Sequence, residues 1–495
     1  MTTSEGSSGG AATTTTGETP TSGGGAGTTT GSESSGGEST VGTTTSGTTS
    51  EGMTTTGDPM SGDTSTGEPV DIDIEAALSR VDGLTWEEMD SQFPGYRYFM
   101  LYLQQPADHD DPDGLQFIHR MQLFHRHAAA PMVIDTEGYG VYPESQAMSE
   151  PAAMLRANQL VVEHRWFGTS RPEPADWSLL SIEQAAADHH RIRTILGDAI
   201  YGGPWVSTGI SKGGMTASYY RRFYPDDVVA TIAYVAPITF VELDKHYWQF
   251  LGAIKPACNA SLTNFRRELL LRRQAMLGRV VGEAMMQGYD YEIVGEERAL
   301  EVTALKFGWT FWQRGLGDMC PDVPTANATD DQLWSFLQAV RPVYWMADEF
   351  TAELEPYYWQ VASQLGTART DETALADLLI YPGFDTPLSY IEPGIGKAPW
   401  YTPEPMLAVQ AWVTDEADAM LFVYGERDPW TAGAYAVNPE HDVHRLVVAG
   451  GSHSASIDML TPADRELAYE RIEAWTGVTP IAAPGTPRPW AAMLP

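Results

Sequence analysis

Large apolar side chains are almost absent from the first 70 residues and then recur in two rhythms. Up to Val70 the chain is mostly Thr, Ser, Gly and acidic residues, in repeats such as Thr13-Thr14-Thr15-Thr16-Gly17 and Thr54-Thr55-Thr56-Gly57. The first Ile is Ile72, the first basic residue Arg80 and the first aromatic Trp86. Ordering a backbone residue costs roughly 1–2 kcal/mol, which a segment with nothing to bury cannot offset. Residues 1–70 are therefore expected to be a disordered Thr/Ser/Gly-rich tether, flexible and partly self-repelling.

Beyond residue 71 the pattern alternates between strands and helices. Residues 99–103, 117–125, 131–135 and 159–163 are rich in β-branched, aromatic and Leu side chains and are separated by turn signals, so they read as strands. Ser181 caps a helix with Glu183 and Gln184 in its first turn, expected to run to Leu196 with Gly197 as its C-cap. A short strand at 205–208, a helix at 215–224 ending before Pro225, and a strand at 228–235 follow. Between 240 and 406 the character changes. Residues 264–286 are strong helix formers at amphipathic spacing, and 333–340 and 357–365 predict shorter helices amid Trp and Tyr. Strand character returns at 420–424 and 446–448, and a helix at 462–475 stops before Gly477. The class is α/β: a βα-alternating core in two parts, 71–239 and 407–495, interrupted by a helical cap at 240–406.

Charge narrows the function. With 30 Lys+Arg against 66 Asp+Glu the formal net charge is −36, which excludes nucleic acid and anionic membranes as partners. The tether, which has no Lys or Arg, holds eight of the acidic residues. No apolar run reaches the roughly 18–20 residues of a membrane span. Two cysteines, Cys258 and Cys320, exclude a Cys-rich metal module, and none of the 11 histidines falls into a metal-ligand spacing, so no metal is expected.

Gly209-Ile210-Ser211-Lys212-Gly213 matches G-x-S-x-G between a predicted strand and a predicted helix, the setting of a nucleophile elbow. The turn is strained, its flanking positions have no room for side chains, and it exposes the serine at a helix N-terminus that favours an oxyanion. A serine hydroxyl needs a base held by an acid, and in an elbow fold the acid and then the His follow in chain order. Asp428 follows the strand at 420–424 and His453 follows that at 446–448, one strand–helix unit apart. Glu426 is the competing acid, one step nearer the strand. The backbone N–H of Lys212 is the first oxyanion donor, and the Tyr139 region, in the loop Thr136-Glu137-Gly138-Tyr139-Gly140, is expected to supply the second.

At this point the motifs resemble a known group. Ser211-Lys212-Gly213-Gly214-Met215-Thr216, Tyr219-Tyr220-Arg221-Arg222-Phe223-Tyr224-Pro225 and Tyr234-Val235-Ala236-Pro237 are similar to the secreted tripeptidyl aminopeptidases of Streptomyces, serine peptidase family S37. So are Thr136-Glu137-Gly138-Tyr139, Glu163-His164-Arg165-Trp166-Phe167-Gly168, Tyr424-Gly425-Glu426-Arg427-Asp428-Pro429-Trp430 and Gly450-Gly451-Ser452-His453. The resemblance runs from about Leu84 to Trp475. Two of these stretches, Glu-His-Arg and Ser-Lys-Gly-Gly, are shared more loosely with prolyl carboxypeptidase relatives. It implies an α/β-hydrolase core with a helical cap, exopeptidase activity on peptide N-termini, and a triad of Ser211, Asp428 and His453. Ile210 departs from the second glycine usual before the serine.

An aminopeptidase must meet a protonated α-amine, so Glu137, Glu163, Asp348 and Glu349 are the carboxylates to consider, against the alternative that each is solvated surface. Tyr357-Tyr358-Trp359-Gln360 lines either the substrate pocket or the core of the cap. The tether looks like the linkers behind the anchor cysteine of bacterial surface lipoproteins, so an upstream start with an export signal, and an extracellular or cell-surface location, are expected. In an exported protein Cys258 and Cys320 are most simply a disulfide, the alternative being two buried thiols. The expected activity is release of short peptides, tripeptides first, from free N-termini through an acyl-enzyme, by a monomer without cofactor. An esterase or lipase with the same triad, or a non-catalytic surface binding protein on the same fold, are the other readings.

Overall fold

The computed structural model describes residues 71–392, 395 and 399–483. The tether reading falls outside the described residues. Among the described residues nine strands form one sheet: β1 Leu84–Met89, β2 Arg97–Pro106, β3 Gln116–His125, β4 Met132–Thr136, β5 Asn158–Val162, β6 Trp205–Ile210, β7 Ala230–Tyr234, β8 Met420–Gly425 and β9 Val443–Val448. Their order is β1-β2-β3-β5-β4-β6-β7-β8-β9. The first three neighbours and the β3–β5 contact are antiparallel; from β5 to β9 every pairing is parallel. Strands β4, β5, β7 and β8 are buried along their whole length, as parallel strands covered on both faces must be.

Alternation along each strand divides the core. Ile134 and Phe422 face a cluster with helices α1 Ile182–Ala199 and α2 Lys212–Phe223, while Val133 and Leu421 face the opposite cluster. Further helices follow β7: α3 Pro256–Leu271, α4 Arg273–Gln287, α5 Glu296–Gln313 and α6 Asp330–Val340. Their apolar faces meet in a third cluster around Phe265, Met276, Phe307 and Leu337, which extends to Tyr139 and Phe167 in the loops after β4 and β5. Helix α7 Glu404–Asp415 packs Met406, Val409 and Val413 back into the first cluster, and α8 Pro462–Thr476 covers the second.

Several elements differ from the sequence expectation, each for a physical reason. Helix α1 runs through Gly197 to Ala199: the glycine is not a terminator but leaves room for the Arg193 guanidinium, which lies over the Trp205 ring. The single helix expected at 264–286 is two, broken at Arg272, whose side chain donates to the Ala326 and Ala328 carbonyls and to Asp330. Helix α5 shows no amphipathic period because it is buried on nearly all sides, from Ala299 to Gln313. Strand β1 is a mostly exposed edge and carries too few apolar positions to announce itself.

Cys258 in α3 and Cys320 are joined as a disulfide, with Cα atoms 5.4 Å apart and 62 positions between them in sequence. Closing a loop of that length is worth about 4 kcal/mol in the chain-entropy model, an upper figure. Cys320→Ser is expected to lower unfolding stability by about 2–4 kcal/mol in chemical denaturation. An unchanged midpoint, at unchanged m-value, would show that the bridge constrains nothing.

Candidate active site

The sheet order reverses beside β4: the chain steps to β5 on one side and to β6 on the other. Loops leaving the carboxyl ends of β4 and β6 therefore part around a crevice, the place where open α/β sheets bind ligands. Ser211 stands directly after β6, with φ 56° and ψ −121°, a backbone conformation costly for any residue but glycine. The turn is held by the Ser211 N–H, which donates to the Tyr234 carbonyl at 2.8 Å, and by the Ser211 carbonyl, which accepts from the Met215 N–H at 3.0 Å. Its glycines are sterically required. A Cβ on Gly209 would sit 2.3 Å from the Gly213 carbonyl carbon, and one on Gly213 would sit 2.6 Å from the Thr136 carbonyl oxygen. Helix α2 begins at Lys212, so unpaired first-turn N–H groups lie beside the serine.

The loops after β8 and β9 carry the other partners. Asp428 is wholly buried; its Oδ1 accepts from the Trp430 N–H at 3.2 Å and its Oδ2 lies 2.7 Å from His453 Nδ1. His453 is 1% exposed, and its N–H donates to the Gln313 carbonyl at the end of α5. With Nδ1 bound to the carboxylate, the ring presents Nε2 as the basic nitrogen, the tautomer a general base needs. Trp430 ties this pair to the serine: its ring lies 6.5 Å from that of His453, and it lines a cavity together with Ser211, Lys212, Tyr139 and Tyr357. Glu426, the competing acid, is exposed and accepts from the Gly450 N–H at 2.6 Å, bracing one loop against the next.

Lys212 is buried beside the serine, and its ammonium donates to the Gly138 carbonyl at 2.6 Å between the rings of Tyr139 and Phe167. Burial pushes its pKa well below the usual lysine range, opposed by the charge of Glu137. The lysine thus clamps the β4 loop, which carries Tyr139, onto the start of α2. Glu137 is 5% exposed and takes the Gly138 N–H at 3.1 Å, so it belongs to this clamp.

The other carboxylates considered for the amine lie elsewhere. Glu163 is fully buried and accepts from the Val141 N–H, from the Ser170 N–H and hydroxyl, and from Arg120, which fills its acceptor sites. Asp348 accepts from the Glu292 and Ile293 N–H groups, and Glu349 is exposed. None of the three lines the cavity at Ser211. The aromatic stretch divides: Tyr357 and Tyr358 line a second cavity, whereas Trp359 packs against Trp177 in a small core. This second cavity shares Tyr357 and Trp430 with the first and adds Lys306, Arg341 and Asp385. Those three charged residues were not legible in sequence, where nothing marks one cap charge from another.

The sheet order, the strained serine between strand and helix, and the Asp–His pair on the loops after β8 and β9 define a serine hydrolase of the α/β-hydrolase class. More narrowly, the chain belongs to the PS-10 peptidase S37 family, which matches over residues 67–493. It is 36% identical over 417 residues to a prolyl tri/tetrapeptidyl aminopeptidase of Streptomyces mobaraensis, covering 83% of this chain and 86% of that protein. A lysosomal Pro-X carboxypeptidase of Mus musculus is 32% identical over 178 residues, covering 32% of this chain and 34% of the other. Among solved structures, a proline iminopeptidase of Mycobacterium smegmatis aligns over 76% of this chain and 98% of its own at 14% identity, with a TM-score of 0.32.

Proposed function

We propose that this serine peptidase is an exopeptidase that releases short peptides, tripeptides first, from free N-termini, with Ser211 as nucleophile, His453 as general base and Asp428 as its orienting acid. The observation that carries the reading is the 2.7 Å contact of His453 Nδ1 with a fully buried Asp428, on loops tied through Trp430 to the cavity at Ser211. His453 Nε2 takes the Ser211 proton as Oγ attacks the scissile carbonyl, giving a tetrahedral oxyanion. The Lys212 N–H, with a second donor in the Tyr139 region, holds that oxyanion. Nε2 then returns the proton to the leaving amine, and the peptide remains as an ester on Ser211 until water, activated by the same histidine, releases it.

The Streptomyces mobaraensis relative, a prolyl tri/tetrapeptidyl aminopeptidase matched along most of both chains, supports the N-terminal direction and the short product. A location outside the cytoplasm is part of the same reading, supported by the Cys258–Cys320 disulfide, since such bonds persist in oxidising compartments. The enzyme is expected to act as a monomer.

The test is a set of substrates: Ala-Ala-Pro-anilide, its N-acetylated form, single aminoacyl anilides and p-nitrophenyl esters. Free Ala-Ala-Pro-anilide is expected to be turned over at least about 100-fold faster, in kcat/KM, than the acetylated form, since loss of a buried charge contact costs roughly 2–3 kcal/mol. Equal rates on free and blocked peptides would remove the exopeptidase reading. Ester turnover alone would make the protein an esterase.

A further inference from the structure

The second cavity has the wrong charge for an amine site. Its lining holds two cations, Lys306 and Arg341, and one carboxylate, Asp385. Asp385 is already engaged: Lys306 Nζ lies 2.9 Å from its Oδ1, the Tyr390 hydroxyl donates to it at 2.5 Å, and Thr370 donates to it as well. Arg341 is 5% exposed. Its Nη1 donates to the Thr310 hydroxyl at 3.0 Å, its guanidinium stands over the Trp345 ring, and its Nε has no hydrogen-bond partner. Among the described residues no carboxylate forms an ion pair with it. The Asp385 charge acts on Arg341 from across the cavity, but that carboxylate is spent on Lys306, so the guanidinium has no ion-pair partner of its own. Arg221 and Arg266 are also buried without an ion pair among the described residues, so it is the place of Arg341 in the lining of a cavity beside Ser211 that marks it for an anionic ligand.

The position of this cation relative to Ser211 says what the ligand is. Tyr357 and Trp430 line both cavities, and Gln313, whose carbonyl holds the His453 N–H, lines the second. The two cavities are therefore neighbours, and a peptide acylated on Ser211 would reach Arg341 by extending past these side chains. We propose that Arg341 is a specificity residue that takes a carboxylate of the bound peptide, supplied by an Asp or Glu side chain within the segment that the enzyme releases. The inference rests on the exopeptidase reading for the direction of the chain, though not for the presence of the anion site. A guanidinium binds a carboxylate through two parallel N–H···O bonds, so an acid is distinguished from its uncharged amide isostere.

Binding rather than turnover tests this, using titration calorimetry on the Ser211→Ala protein. The probes are the pairs Glu-Ala-Pro-amide with Gln-Ala-Pro-amide, Ala-Glu-Pro-amide with Ala-Gln-Pro-amide, and N-acetyl-Ala-Ala-Pro with its amide. At least one Glu peptide is expected to bind 10-fold or more tightly than its Gln partner, and adding Arg341→Gln should bring that ratio within two-fold of one. If Arg341→Gln does not fold, Arg341→Lys should keep a reduced preference, and 0.5 M salt should shrink the wild-type ratio. A preference confined to the N-acetyl pair would place a chain-terminal carboxylate at Arg341 and overturn the side-chain assignment. Ratios near one for all pairs, or a preference that survives Arg341→Gln, would overturn the anion site itself. Failure of the exopeptidase reading is seen separately, as absent cleavage of free-amine anilides with these binding ratios intact.

Discussion

Ser211→Ala is expected to lower kcat on Ala-Ala-Pro-anilide by roughly 10⁶-fold, and Asp428→Asn by roughly 10⁴-fold, with KM little changed in either. The sizes differ because the two residues act at different removes from the bond. In the proposed mechanism Ser211 forms the covalent link, while Asp428 holds the His453 ring in its working tautomer through the 2.7 Å contact to Nδ1. An asparagine there can present its NH₂ to Nδ1, which turns the ring to the wrong tautomer without opening the buried site. The double variant Ser211→Ala/Asp428→Asn should be no slower than Ser211→Ala, because without a nucleophile there is nothing for the base to activate. Additive losses in steady-state kinetics would mean that the two residues do not work as one unit.

Arg165→Met is expected to cost about 3–5 kcal/mol of stability while leaving every residue at Ser211 in place, because removing one partner strands a buried charge. Arg165 Nε and Nη2 donate to the two oxygens of Asp188 in α1 at 2.6 and 2.8 Å, and its Nη1 donates to the Ala107 and Leu179 carbonyls. Arg165 and Asp188 are both about 1% exposed or less, so the pair fastens α1 to the loop after β5 with no solvent to replace it. Burial works against the Asp188 charge, but Arg165 and His109 outweigh it and hold the carboxyl far below the usual carboxylate range. A depressed folded pKa gives stability that is present above the unfolded value near 4 and is lost as pH falls below it. The gap between wild type and Arg165→Met, measured by urea unfolding, should therefore be full at pH 7 and narrow below pH 4. A gap that is absent at pH 7 would contradict the account.

What could be read from the chain follows from how local each signal is. The elbow is five residues with a fixed glycine pattern, so Ser211 could be proposed from sequence, and Asp428 and His453 were proposed from chain order and strand ends; the structure brings those two within 2.7 Å. A carboxylate for the substrate amine could not be singled out in this way. Glu163 looks like a site residue in sequence, yet its oxygens are spent on Val141, Ser170 and Arg120, donors that only the fold brings near. Arg341, Lys306 and Asp385 meet across the helical segment from positions with no common spacing, and α5, buried on nearly all sides, leaves no periodic trace. The aromatic run at 357–360 was ambiguous for a related reason: successive side chains on one short helix point to the cavity and to the core in turn.

The catalytic assignment is tested most directly by a fluorophosphonate, which reacts only with a serine that is already activated. Treatment with one equivalent is expected to place a single phosphonyl group on the proteolytic fragment that contains Ser211, and anilide hydrolysis should fall in proportion to labelling. Asp428→Asn should label slowly and at the same serine. A label on another residue, or full hydrolysis after stoichiometric labelling of Ser211, would contradict the claim that Ser211, His453 and Asp428 form the working site.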